Sequence, residues 1–207
     1  MKSKLTIRKC YKHWKTIKRH RKLVKYYCRL AGIHWRGIKH DLSKYNPIEF
    51  FESARYYTGT TSPINEAKRV QGYSRAWLHH RGRNTHHYEY YVDNFDDGGV
   101  SLLMPKDDFV ELVCDYIAAG ITYTAAGDRV HFSFSNEYDW WMQKREHCIM
   151  HPANKMMLDV IFRDLEYADN HMLSGCPTAL ITSTPESLIK SGYLQEIWHK
   201  YKNYVAE

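Results

Sequence analysis

Between Thr6 and Ala31 an apolar or aromatic residue recurs at nearly every third or fourth position: Ile7, Tyr11, Trp14, Ile17, Val24, Tyr27 and Ala31. That recurrence matches the 3.6-residue repeat and predicts one long amphipathic helix. Gly32 is a natural stop for it. A helix of this length commits the rest of the chain to packing along its apolar stripe. The stripe has one polar member: His20 lies on it between Ile17 and Val24, with His13 beside it. A histidine on a buried face is either a satisfied core side chain or a nitrogen offered to something inside.

The remaining pattern is also helical. Residues 35–44 read as a short helix, and Asn46-Pro47 breaks it, because proline disfavours helical geometry in the residue before it. Pro47 suits the first turn of a helix over 48–57. Residues 59–63 form a loop, 65–80 a helix, 82–85 a turn and 86–92 a further helical stretch rich in aromatics. An acidic loop over 93–99 precedes a helix over 106–119, on which Asp115 sits among Phe109, Val113, Tyr116 and Ile117. Residues 122–136 alternate at Val130–Phe134, with Ala126-Gly127-Asp128 as a turn, so a small β-hairpin is expected there, with a loop as the alternative. Helix resumes over 138–170, interrupted near His151-Pro152, and ends with 185–204. The expectation is an all-α fold in one domain, 1–207, with 138–207 as a C-terminal helical extension.

With 207 residues and a hydrophobic fraction of 43%, the chain can bury a core. It has no apolar run of about eighteen residues and no apolar signal-peptide core, so no membrane span is expected and a soluble cytoplasmic protein is. Cys10, Cys28, Cys114, Cys148 and Cys176 contain no C-x-x-C pair, which disfavours a zinc ribbon and fits reduced thiols. The net charge of +7 is unevenly placed: the first acidic residue is Asp41. Such a basic N-terminus attracts nucleic acid, nucleotides or phosphorylated metabolites; a solvated helix face is the bland alternative.

The chemistry concentrates at His40-Asp41, followed by Lys44, with His20 before and Asp115 well after. A carboxylate among apolar side chains costs several kcal/mol unless compensated. A divalent cation would compensate Asp41 and Asp115 together and explain an inward His20. Imidazole and carboxylate ligands suit Mn, Fe, Zn, Co or Ni. Four ligands leave positions open for a water that ionises near neutral pH and attacks phosphorus. His79, His80, His86 and His87 form a second cluster, enough for a second ion or for proton transfer.

His20, His40-Asp41-Leu42-Ser43-Lys44 and Asp115 resemble the HD-domain superfamily of metal-dependent phosphohydrolases. The resemblance implies a helical bundle, metal ligation by His20, His40, Asp41 and Asp115, and contact of Lys44 with phosphate or leaving group. Some branches add histidines before the last Asp and bind two metals, among them cyclic-nucleotide and cyclic-di-nucleotide phosphodiesterases and di-iron oxygenases. The chain is also similar, over about 12–154, to a short uncharacterised family with the patterns H-D-L-S-K, A-W-L-H-H and N-x-H-H. The His20–His40 interval is short for the superfamily, which keeps His13 as a rival first ligand. The glycine-rich tail of the cyclic-di-nucleotide enzymes is replaced by Tyr88-Glu89-Tyr90-Tyr91.

The expected activity is therefore hydrolysis of a phosphate ester, a nucleotide or related small molecule, by a metal-bound hydroxide. Expected ligands are His20, His40, Asp41, His80, His87 and Asp115. Lys44, His79 and His86 are the expected catalytic groups, and Lys44, Arg81 and Arg83 the expected substrate contacts. Glu49 and Glu52 are candidate acid–base groups. His147 and His151 have ligand-like spacing but end at Pro152, and Trp140-Trp141 belong to the core. The alternatives are a di-iron oxygenase on the same scaffold and a nucleic-acid-binding protein using the basic N-terminal helix.

Overall fold

The computed structural model describes residues 4–124, 127–173 and 184–205. Among them are ten α-helices and one two-stranded sheet, an all-α fold. Helix α1 (Ile7–Leu30) is about 36 Å long. Thr6 caps it, its side chain accepting from the Lys9 amide at 3.2 Å. The buried face carries His13, Ile17, His20, Val24 and Tyr27, whereas Ile7, Tyr11 and Trp14 of the expected stripe are exposed, because the packing of α1 begins only near His13. On the outer face, like charges stand three and four residues apart, each such pair costing about 0.2–0.5 kcal/mol.

Helix α6 (Lys106–Thr122) is buried without interruption from Asp108 to Ala118. A helix apolar nearly all round belongs in the middle of a fold, and α6 packs along α1 on one side and α10 (Tyr193–Tyr201) on another. Val24, Phe109, Val113 and Ile117 join one continuous core with Trp141 of α7 (Phe134–Arg145), Phe162 and Leu165 of α8 (Pro152–Leu173), Ile189 of α9 (Pro185–Lys190) and Ile197 of α10. Each such side chain, fully buried, contributes about 1.5–3 kcal/mol.

Helix α2 (His34–Lys39) folds back on α1. Gly37 allows the close approach: a Cβ there would lie 2.7 Å from Cys28 Cβ and 3.0 Å from Lys25 Cα. Arg21 fixes the end of α2, donating to the carbonyls of His40 at 2.8 Å and Ile38 at 2.9 Å. The helix expected over 35–44 is therefore shorter than its pattern. It ends before His40, and a 3-10 turn, Leu42–Tyr45, follows. Pro47 and the Asn46 cap start α3 (Pro47–Tyr56).

The helix expected over 65–80 is two helices, α4 (Pro63–Gln71) and α5 (Arg75–Arg81). Gly72 closes α4 in the left-handed region at φ 82°, and Ser74 caps α5 by accepting from the Trp77 amide at 3.1 Å. Both pack on α3. The hairpin expected near 122–136 is not found there among the described residues; Ala126 of its expected turn lies outside them. Thr124 instead accepts from the amides of Gly127 and Asp128, holding a turn, and α7 begins at Phe134. A side chain that satisfies the backbone locally competes with a strand ladder. The sheet lies elsewhere: β1 (Val92–Asp93) pairs antiparallel with β2 (Val100–Ser101). The final stretch is likewise split into α9 and α10, at Gly192 with φ 93°.

Candidate metal centre

Three segments meet at one buried point. His20 comes from α1, Asp115 from α6, and His40-Asp41 from the junction after α2. Asp41 is left-handed, with φ 57° and ψ 25°. That conformation costs an ordinary residue about 1–2 kcal/mol and is tolerated best by Asp and Asn after Gly. It turns the carboxylate inward beside His40 instead of continuing the helix.

His20 Nε2 lies 3.0 Å from Asp115 Oδ1 and 3.3 Å from Asp41 Oδ2. His40 Nε2 lies 3.2 Å from Asp41 Oδ2 and 3.5 Å from Asp115 Oδ1. Ligand atoms about 2.1 Å from a shared ion stand about 3.0–3.4 Å apart, depending on coordination geometry. The Asp41 carboxylate divides its oxygens: Oδ1 faces His80 Nε2 at 3.1 Å and His86 Nε2 at 3.7 Å. Two donor groups result, His20–His40–Asp41–Asp115 and Asp41–His80–His86–His87, sharing Asp41. The Nε2 atoms of His20, His40, His80, His86 and His87 and Asp41 Oδ1 are buried without a well-aligned hydrogen bond, while Asp41 Oδ2 pairs with the Lys44 ammonium. Buried polar atoms are nearly always partnered, so this convergence of orphans is what a cation would satisfy. These groups can hold a metal ion.

The outward nitrogens of His40, His80 and His86 are partnered. Glu111 Oε1 lies 2.8 Å from His40 Nδ1 and 3.3 Å from His86 Nδ1. Glu49 Oε2 lies 2.8 Å from His80 Nδ1, while its Oε1 lies 2.5 Å from His79 Nδ1. With the proton on Nδ1, each Nε2 keeps its lone pair directed at the centre, the usual support for a metal-bound histidine. Glu111 completes a third donor group with His40 and His86. It uses their Nδ1 side, however, and already accepts from Arg36 Nε at 2.7 Å, so it backs the ligands. Arg36 also bonds Asp108, which accepts from Tyr91 at 2.6 Å.

The electrostatics follow from this layout. Burial opposes charge on His40, yet Asp41, Asp115 and Glu111 outweigh it and raise its pKa well above the usual range. Burial likewise opposes the Asp41 carboxylate, but His40, Lys44 and His80 hold it well below the ordinary carboxylate range. Burial and the positive field of His40 lower His86; burial, His86 and His80 lower His87 strongly. Neutral imidazole is the form that ligates, so an ion binding here would displace a proton from His40 and from His80, whose pKa, against the opposing effect of burial, Asp41 and Glu49 also raise. The Lys44 ammonium pairs with Asp41 Oδ2 and keeps 27% of its side chain exposed, so it stands at the edge of the centre.

Other expected residues fall outside the donor groups. His13 packs between the rings of Phe50 and Tyr57, 5.4 and 5.7 Å away, and burial and Lys44 lower its pKa to about 4. His20, about two turns further along the same buried face, stands among the donors instead. His79 belongs to neither group and turns to Glu49, whereas His86, expected as a catalytic group, stands among the donors. Arg81 is in neither group. Arg83 is exposed, donates to the His79 carbonyl at 3.2 Å and lines a cleft of about 290 Å³ with Trp35, Lys39 and Asn84 that reaches His40 and His86 from their Nδ1 side. Glu52 accepts from the Arg75 amide at 2.9 Å and, with Phe51 and Tyr73, lines a larger groove, about 390 Å³, that contains no donor.

Glu111 and Arg36 support the centre although neither is among the site residues expected from the sequence. A signal existed for the first: Glu111 and Asp115 stand four apart on one helix, and two carboxylates on one face of an apolar helix demand compensation. Asn84 was visible only as part of the N-x-H-H pattern; it donates to the His80 carbonyl at 2.7 Å and to Ser43 Oγ at 2.9 Å.

Fold and site together define an all-α protein with a buried histidine–carboxylate centre able to bind metal. A family model described as a family of unknown function (DUF5662) matches residues 9–164, and the chain belongs to that family. The matched span contains every member of the donor groups. No curated protein matches the chain. No solved structure matches it.

Proposed function

We propose that the protein is a metal-dependent phosphohydrolase acting on a phosphate ester, with a nucleotide or related small phosphorylated molecule as substrate. The observation that carries this reading is the shared carboxylate: Asp41 faces one histidine set with each oxygen and also holds the Lys44 ammonium. The HD-superfamily resemblance supports it, since its four implied ligands form one donor group.

His20, His40, Asp41 and Asp115 would hold one divalent ion, and His80, His86 and His87 with Asp41 a second, the donor chemistry suiting Mn, Fe, Zn, Co or Ni. Such ions supply Lewis acidity and lower the pKa of water toward neutrality. The chain's own contribution is positioning and charge. Glu111 and Glu49 lock the rings of His40, His86 and His80. Lys44, at the edge of the centre, neutralises negative charge developing on phosphate oxygens. Arg83 and Lys39 bring further positive charge to the neighbouring cleft, and the exposed indole of Trp35 offers a base a stacking face there.

The test is elemental analysis of protein purified without added metal, followed by a screen of nucleotides for phosphate release. His40→Ala and Asp41→Ala should lose metal and turnover, while His199→Ala, at an exposed distant position, should keep both. Equal turnover in all three would defeat the reading. A second reading rests on the same two donor groups: a di-iron oxygenase. Its signature would be a coloured protein after aerobic purification that consumes oxygen.

A further inference from the structure

We infer that the outer face of α1 is a binding surface for single-stranded nucleic acid, an activity separate from the proposed hydrolysis and carried by different residues. Lys15, Lys18, Lys22, Lys25 and Arg29 are all exposed. Their alternating spacing of three and four places them in one row along the helix, about 21 Å long. The row lies opposite the buried face that carries Ile17, His20, Val24 and Tyr27.

An ordinary solvated helix face mixes signs, because opposite charges three or four apart support the helix. Here that support is missing. The chain's first acidic residue is Asp41, beyond the end of α1, so each cation of the row meets only like charge along its own helix. A polyanion is the partner that would relieve the row.

Aromatic rings on the same face narrow the choice among polyanions. Tyr11 is 54% exposed, Tyr26 40% and Trp14 38%. Lys15 Nζ stands 4.8 Å from the Tyr11 ring centre and Lys18 Nζ 4.5 Å from that of Trp14. Cations beside exposed rings are the two parts of a single-strand site: charge tracks the backbone, and rings stack on bases. A duplex hides its base faces from such rings. A membrane would call for several aliphatic side chains flanking the row; α1 exposes Ile7 alone of that kind, and its rings lie beneath Lys15, Lys18 and Arg29.

The experiment is fluorescence anisotropy with a labelled 20-nucleotide single-stranded RNA, a duplex of the same sequence, and vesicles containing phosphatidylserine. Wild type is compared with the Lys15→Gln/Lys18→Gln/Lys22→Gln/Lys25→Gln variant, with Tyr11→Ala/Tyr26→Ala and with His40→Ala. Circular dichroism checks that each variant folds. The single strand should bind in about 50 mM salt, with an affinity falling by about 0.7 log unit per log unit of salt for each phosphate neutralised. The glutamine variant should bind about tenfold or more weakly with a shallower salt slope. Tyr11→Ala/Tyr26→Ala should weaken the single strand and spare the duplex. His40→Ala should bind as wild type does, which separates this surface from the metal centre. Unchanged binding by the glutamine variant, tighter binding of duplex than of single strand, or binding of vesicles without RNA would each overturn the inference.

Discussion

Among the described residues, Asp41 is the side chain common to both four-residue donor groups. Its left-handed backbone turns the carboxylate into the centre, and its two oxygens serve two histidine sets. The ligands depend in turn on the carboxylates behind them. Replacing Glu111 by Gln removes the charge that holds the Nδ1 protons of His40 and His86. Metal affinity should fall about 10–100-fold, read by competition with a chelating indicator, while an unchanged affinity would show that Glu111 is structural. Glu137, on α7, is a different case. Burial lifts its pKa to about 8, with Lys144 pulling it down and Asp115 pushing it up. Its folded pKa lies above the ordinary 4.5, so the folded state holds a proton that the unfolded state has released between those two values. Stability should therefore be greatest below about pH 4.5 as far as this group is concerned, and should fall with rising pH by up to about 1.4 kcal/mol per unit until about pH 8. Glu137→Gln should flatten that slope and stabilise the protein at pH 8, as measured by urea unfolding at pH 5 and pH 8.

The helices matter through how closely they approach. Gly37 brings α2 against Cys28 on α1, and Arg21 clasps the carbonyls at the end of α2, so His40 arrives beside His20. Gly37→Ala places a methyl 2.7 Å from Cys28 Cβ, and the helix must move. Overpacking of this kind costs about 1–3 kcal/mol. The prediction is a lowered melting temperature together with lowered metal content, because the same displacement carries His40 and Asp41 outward. A variant that loses stability yet retains full metal content would show that the α1–α2 contact does not position the centre. α6 performs the corresponding task from the other side, presenting Glu111 and Asp115 one turn apart to ligands that come from α1 and from the α2 junction.

Across the whole molecule the metal centre lies between α1 and α6, which also anchor the apolar core. Binding of an ion at these groups would therefore be coupled to folding. Removing metal leaves the carboxylates of Asp41 and Asp115 and five histidine nitrogens without the cation that their arrangement suits. Chelation should lower the melting temperature, and restoring a divalent ion should raise it again. An ion present at 100 times its dissociation constant adds about 2.7 kcal/mol. Calorimetry with and without chelator reads this, and His40→Ala should be insensitive to both additions. No helix among the described residues is long and apolar enough to cross a membrane.

The helical character and the key donors were legible in the residue order because they depend on local rules. Apolar spacing marked α1 and put His20 on its inner face, and the His-Asp doublet with the distant Asp115 marked candidate donors that the fold brings together. Breaks were read less well. Gly72 and Ser74 split one apparent helix into two, and Thr124 bonded a turn where alternation pointed to a hairpin. The choice between His13 and His20, the withdrawal of His79 to Glu49, and the support of His40 by Glu111 and Arg36 all needed three-dimensional packing. The physical reason is range. Propensity and periodicity act over a turn or two of chain, whereas a ligand and its backing carboxylate are separated by as many as 71 positions, as His40 and Glu111 are, and meet only where helices cross.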